Sequence, residues 1–351
     1  MVIFVGVILL LSCLRIQYAG NGSFHNDYMD KDNIQEIKGI FLLLIFASHF
    51  SQYVSLTGLL SRPYLVLKKD LGQLVVAPFL FYSGYGVAVS VQKKGMGYIR
   101  SMPKRRILKV LFQFDIAVLL FWAAQKLLGN DVGIKHFLLS LIAWDSLGNS
   151  NWYIFAILVL YLISFLACFG LSTENGQEDR FRMTGWMIFT LSLCLIWLLK
   201  RHRPDYCYNT ILAYSAGYLF ALYKEPVEDL CFRSEQSYWL AIGTVFLIFY
   251  VFRKSWEGNL TAYEAASIGF GMIIVLLSAK FKIKNRILHY CGEHLFSLFI
   301  LQRLPMMLLS NTILKDHAPL FFLCSLAGAF LLSWIFDHTV PQLFDAVFSK
   351  C

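Results

Sequence analysis

Charge is what this chain has least of. Asp, Glu, Lys and Arg make up 15% of its residues against 58% hydrophobic ones, and its mean hydropathy is +0.59. So much apolar side chain exceeds what the core of a soluble domain of this length holds, which excludes a soluble protein and implies a polytopic membrane one. No CxxC pair occurs among the eight cysteines, and no Cys/His spacing suits zinc. Cys13, Cys168, Cys194, Cys207, Cys231, Cys291, Cys324 and Cys351 therefore read as small buried hydrophobes, with neither a disulfide framework nor a metal site expected. Internal repeats and low-complexity segments are also lacking, so residues 1–351 read as one membrane domain. The first eighteen residues have no basic n-region, which argues against a cleaved signal peptide. LLSC at 10–13 only loosely resembles a lipoprotein cleavage site, and an extra N-terminal helix or anchor is expected over 1–18, followed by a polar linker over 20–35.

What the chain does have is a series of apolar runs. Ten read as core spans, within residues 39–337: 39–60, 71–91, 107–127, 152–171, 183–199, 206–223, 237–252, 263–279, 288–310 and 318–337. The expected fold is thus an all-α polytopic helical bundle in the cell membrane, with about ten core helices plus the N-terminal one. The segment 134–147 is short and carries Lys135, His136 and Asp145, which suits a re-entrant or interfacial helix. The net charge of +9 falls mostly between the apolar runs, as in charge that sets orientation, and this argues against a nucleic-acid partner. If 134–147 does not cross, the two densest basic segments, Lys93–Lys109 and Lys280–Arg286, share the cytoplasmic side. The stretches 20–38, 172–182, 224–236 and the C-terminus join them there. Lys38 is then expected at the cytoplasmic surface and His49 near mid-membrane.

His49 is the only ionisable side chain between Gly39 and Leu60. Ionisable groups at membrane depth are costly, so a functional role is the first reading and a polar helix-packing residue the competing one. Lys38 precedes it by eleven residues, almost three helical turns, which places both on one helix face about 16 Å apart. In the next span, Ser83, Gly84 and Tyr85 bring small residues and hydroxyls to a place without water, where helix packing is the plain alternative. Arg105, Arg106 and Lys109 cluster at the head of the third span. Their guanidinium forks suit the phosphates of a nucleotide-containing donor, and topogenic charge is the rival reading. Asp115 is a second buried ionisable group, available to pair with a basic residue or to orient His49.

These stretches carry a resemblance. IQEIKGIFLLLIFASHF (34–50) resembles the first-span signature of the membrane-bound acyltransferase 3 family, in which a basic residue precedes a histidine by eleven positions. FLFYSGYGV (79–87) and YIRSMPKRRILKVL (98–111) are similar to the family's "FFxxSG" span and RxxR-like basic motif. NWYIFAILVLYL (151–162) resembles its Trp-led span, and CGEHLFSLFILQRLP (291–305) its late helix. The matches keep the family's order over some 270 residues. The resemblance implies a polytopic enzyme that moves an acyl group, often acetyl from acetyl-CoA, onto an extracytoplasmic sugar or other cell-envelope acceptor. It implies that His49 is catalytic, with Lys38 in the place of the family's basic residue. Arg106 and Lys109 match the RxxR positions and become candidates for the acyl-CoA side of the site, beside Arg105 of the same basic cluster, with Ser83, Gly84 and Tyr85 shaping the acyl pocket and no metal required. The chain departs from the family at Gln35, where an acidic residue is common, at Lys109 in place of the second Arg, and at Gln302 in place of a histidine.

Histidine suits the reaction because its unperturbed pKa of about 6.5 leaves a neutral, basic ring for an acceptor hydroxyl or for brief carriage of the acyl group. Two other classes compete. A transporter or flippase would line a polar path with His49, Asp115, Glu293 and Arg303, and should show inverted repeats or matched broken helices, which the sequence lacks. A non-catalytic family member would explain Gln302. The basic run at 200–203 is suited to an acidic glycan or lipid head group, or to snorkelling at the interface.

Overall fold

The computed structural model describes residues 1–170 and 177–348. Parts of the expected span 152–171 and inner segment 172–182, and Cys351, lie outside the described residues. The described chain is almost wholly helical: α1 Val2–Cys13, α2 Lys31–Phe50, α3 Arg62–Leu71, α4 Ala77–Met102, α5 Lys109–Leu127, α6 Ile134–Leu141, α7 Trp152–Gly170 and α8 Gln177–Leu199. There follow α9 Leu212–Leu222, α10 Lys224–Cys231, α11 Glu235–Lys254, α12 Leu260–Lys280, α13 Arg286–Glu293, α14 Leu295–Leu301, α15 Arg303–Leu309 and α16 Ala318–Phe348. Two short strands, β1 Gln17–Tyr18 and β2 Phe281–Lys282, pair antiparallel.

Six helical stretches among the described residues are long and apolar enough to cross a membrane: Arg62–Leu127, Trp152–Gly170, Asp179–Leu199, Glu235–Lys254, Leu260–Lys280 and Ala318–Phe348. They make this an integral membrane protein. Ten spans are not found as ten such helices. The expected span 206–223 is an eleven-residue helix, and 288–310 is divided among α13, α14 and α15, with His294 and Gln302 at the joints. α6, at eight residues or about 12 Å, is too short to cross, as expected for 134–147.

The first expected core span is shifted. α2 begins at Lys31 and ends at Phe50, because the chain tightens there: Ser51 Oγ donates to the Ser48 carbonyl at 2.7 Å, and the amides of Gln52 and Tyr53 reach only three residues back. Lys38 therefore lies two turns inside the helix and His49 in its last turn. The basic stretch 93–109 is likewise not a loop. Gly95 breaks α4 with φ 52° and ψ −139°, a backbone state that glycine adopts without steric cost, and helix resumes through a π-helical segment, Pro103–Leu108, into α5.

Two helix pairs meet backbone to backbone. A Cβ at Gly84 would stand 1.9 Å from the Tyr214 carbonyl oxygen, and one at Gly217 would stand 1.9 Å from that of Phe81, so α4 and α9 cross through reciprocal glycines. The α2–α13 pair does the same, with Gly39 against Leu288 at 2.0 Å and Gly292 against Gln35 at 1.8 Å. The N-terminal linker is clamped to the end of α12. Lys280, fully buried, donates to the Gly20 and Ser23 carbonyls and pairs with Glu235 at 2.5 Å, with its ammonium 4.4 Å from the Phe24 ring centre. Lys282 pairs with Asp27, whose carboxyl this hydrogen bond holds below its ordinary range. The segment 280–286 is thus partly a structural latch, beyond any topogenic role.

Candidate active site

The site is built along α2. In its last turn the His49 ring lies 6.4 Å from Phe299 of α14, centre to centre, and its Nδ1 is buried with no hydrogen-bond partner among the described residues. The short helix α3 lies across this end, tied by Tyr64 Oη donating to the Ala47 carbonyl at 2.8 Å and by Lys68 Nζ donating to Ser51 Oγ at 2.7 Å. Arg303, first residue of α15, reaches over the same turn. Its Nη2 donates to Gln52 Oε1 at 3.2 Å, and its guanidinium lies 5.9 Å from the Tyr53 ring centre. Arg303 and Lys68 act electrostatically on His49, and among the described residues no carboxylate pairs with the ring.

Lys38 faces a different neighbour eleven residues earlier. It lies in electrostatic reach of Arg106, which projects from the π-helical segment and is half-buried. Inserting an extra residue into a helical turn re-aims side chains, and such bulges recur at functional sites. Arg106 Nε donates to Tyr98 Oη at 3.2 Å, and its guanidinium stands 6.0 Å from the Tyr98 ring centre and 5.8 Å from that of Tyr161. Arg105 is exposed beside it, and Lys109 turns toward Phe344 of α16 at 6.0 Å. Sequence spacing had grouped these three cations; the structure sends Arg106 and Lys109 to different neighbours and leaves Arg105 exposed.

Aromatic rings line the interval between the two ends. Tyr161 and Tyr153 stand about two turns apart on α7, and Tyr153 meets Phe299 at 5.3 Å and Phe79 at 6.3 Å. Ser83 lies beside Tyr153. Its two neighbours point elsewhere, Gly84 into the crossing with α9 and Tyr85 toward Phe220 at 6.1 Å. Only Ser83 of the expected pocket triplet therefore joins the aromatic column. Gln302 is 1% exposed; its Nε2 donates to the Phe299 carbonyl at 3.2 Å and its Oε1 has no partner among the described residues.

Asp115 neither pairs nor orients His49: its Oδ1 is buried without a partner among the described residues, and it is not among the charged neighbours of the imidazole. Glu293 is exposed, so the four residues of a transport path do not come together. In the run 200–203, Arg201 lies over Trp197 at 3.7 Å and Arg203 over Trp144 at 4.8 Å, the geometry of cations resting on aromatic faces. The roles of Tyr98, Tyr153, Tyr161, Phe299 and Lys68 escaped sequence reasoning, because a tyrosine inside an apolar helix gives no sign of which partner it meets.

Residues 32–338 match the profile of an acyltransferase domain, nearly the whole chain. This chain belongs to the acyltransferase 3 family. The match takes in Lys38 and His49 of α2, the π-helical segment and α13 to α15, the elements that build the site. A transferase role follows from membership. No match was found among curated proteins or among solved structures.

Proposed function

We propose that the protein transfers an acyl group, acetyl from acetyl-CoA, to a hydroxyl of a cell-envelope glycan or lipid-linked sugar, with His49 as general base or acyl carrier. The observation that carries this reading is the division of labour along one face of α2. Lys38 and Arg106 concentrate positive charge at one point, and a histidine with an unpartnered buried nitrogen stands about 16 Å away. Native buried polar atoms are nearly always paired, so an orphan ring nitrogen beside the Phe299 ring suits a group awaiting substrate.

In this mechanism the nucleotide phosphates of acyl-CoA are held at the Arg106 end, with Lys38, Arg105 and Lys109 contributing field. The slender pantetheine arm passes the Tyr161–Tyr153–Phe299 column beside Ser83 and delivers the thioester to His49. The acceptor hydroxyl enters from the Gln52 side, where the surface is open. Gly84 and Tyr85 act as packing residues that fix this column, in place of a direct pocket role. On the sidedness read from charge, the donor arrives from the cytoplasm and the product leaves outside.

The test uses purified protein in liposomes with labelled acetyl-CoA and candidate glycan acceptors. His49→Ala should abolish transfer, whereas Arg105→Ala with Arg106→Ala should weaken donor binding while the protein stays folded. Equal transfer by His49→Ala would remove the histidine from the mechanism, and solute flux without transfer would favour a transporter.

A further inference from the structure

Beside His49 stands a second buried nitrogen without a partner. Arg303 Nε is shielded from solvent and finds no acceptor among the described residues, although the far side of the same guanidinium is anchored by Gln52 and backed by Tyr53. Gln52 follows His49 by three residues, so this anchor holds the guanidinium within one turn of the imidazole. Leaving a buried charged donor unmade is expensive, at about 1–3 kcal/mol or more. Here the unmet donor and the unmet ring nitrogen stand at the same turn. One is an N–H donor carrying positive charge, the other a ring nitrogen able to take up a proton. A tetrahedral acyl-transfer intermediate needs both.

We infer that Arg303 is a catalytic residue that donates its Nε–H to the carbonyl oxygen of the acyl thioester and stabilises the oxyanion formed there. This rests on the acyl-transfer reading above. In the step itself the acceptor oxygen bonds to the carbonyl carbon while its proton passes to His49, and the carbonyl π pair moves onto oxygen, facing Arg303. Collapse re-forms the C=O bond and breaks the C–S bond. The CoA thiolate then takes the proton from the imidazolium, leaving ester, free thiol and neutral His49. A guanidinium suits the task because its charge is permanent and its N–H geometry rigid, and the Gln52 contact pre-aims it at no cost during the reaction.

Two ligand analogues test the assignment without needing an acceptor. Acetonyl-CoA, a thioether ketone, mimics the ground state, and trifluoroacetonyl-CoA, which hydrates to a tetrahedral carbon, mimics the intermediate. Wild type should prefer the second. Arg303→Gln should lose about 10²–10³-fold of that preference while binding acetonyl-CoA normally. In turnover, read as thiol release from acetyl-CoA, kcat should fall by the same factor at nearly constant donor KM. Arg303→Lys should regain part of it, and added guanidinium should revive Arg303→Ala but not His49→Ala. An Arg303→Gln protein with unchanged analogue preference, or with loss confined to acetonyl-CoA binding, overturns the assignment. If His49→Ala is inactive in that case, the acyl-transfer reading survives without Arg303. If wild type binds neither analogue, it is the acyl-transfer reading that fails.

Discussion

The two ends of the α2 face differ in how their polar atoms are treated. Around Arg106 the contacts are made: a tyrosine hydroxyl accepts from Nε, and two rings lie near the guanidinium. Around His49 they are withheld, and orphan atoms gather at His49 Nδ1, Arg303 Nε and Gln302 Oε1. A satisfied cation holds its position and adds field, whereas an unsatisfied pair retains its bonding capacity for a ligand. One end is thus shaped for holding and the other for reacting.

Substitutions at the two ends should separate these tasks. His49→Ala should reduce transfer by about 10²–10⁴-fold with little change in donor KM, measured with labelled acetyl-CoA. Arg106→Ala should do the opposite, raising donor KM by about 10–100-fold, the equivalent of about 1.5–3 kcal/mol for a charge-assisted hydrogen bond, with kcat retained. Equal effects of both on KM would erase the distinction. Gly84→Val, which touches neither end, should destabilise the α4–α9 crossing by about 1–3 kcal/mol, read as a lower unfolding midpoint in detergent. The smallest effect belongs to the linker latch. Because Lys282 holds the Asp27 carboxyl below its ordinary range, the latch contributes its stability above about pH 4, the unfolded value, and loses it as pH falls through the lower folded value. Proteolysis of the linker should therefore accelerate only in acid, and Asp27→Asn should show the fast rate at neutral pH.

Much of this architecture was legible in the chain. The eleven-residue interval between Lys38 and His49 fixed a shared face, because helical periodicity is local. Where α2 stops was not legible: Ser51 and the turn after it sit inside an apolar run, and hydropathy averages over them. The π-helical segment at Pro103–Leu108 was hidden for a related reason, since a one-residue change of register leaves composition untouched yet swings Arg106 toward Tyr98 and Tyr161. Arg303 was visible as a charge in an apolar span, but its placement at His49 depends on the break at Gln302. Long-range contacts of this kind leave no mark on a single sequence.

The reciprocal glycine crossings have a mechanical consequence. Where two backbones touch, there are no side chains between them to change rotamer, and so no soft layer that can shear. The α2–α13 and α4–α9 pairs should each behave as a stiff strut, carrying Lys38, His49 and Ser83 at fixed heights. Compliance is left to α14 and α15, jointed to the α13 strut at His294 and to each other at Gln302, breaks that bracket Phe299. A donor arm threading the column would then be admitted by flexing one jointed element against two rigid ones.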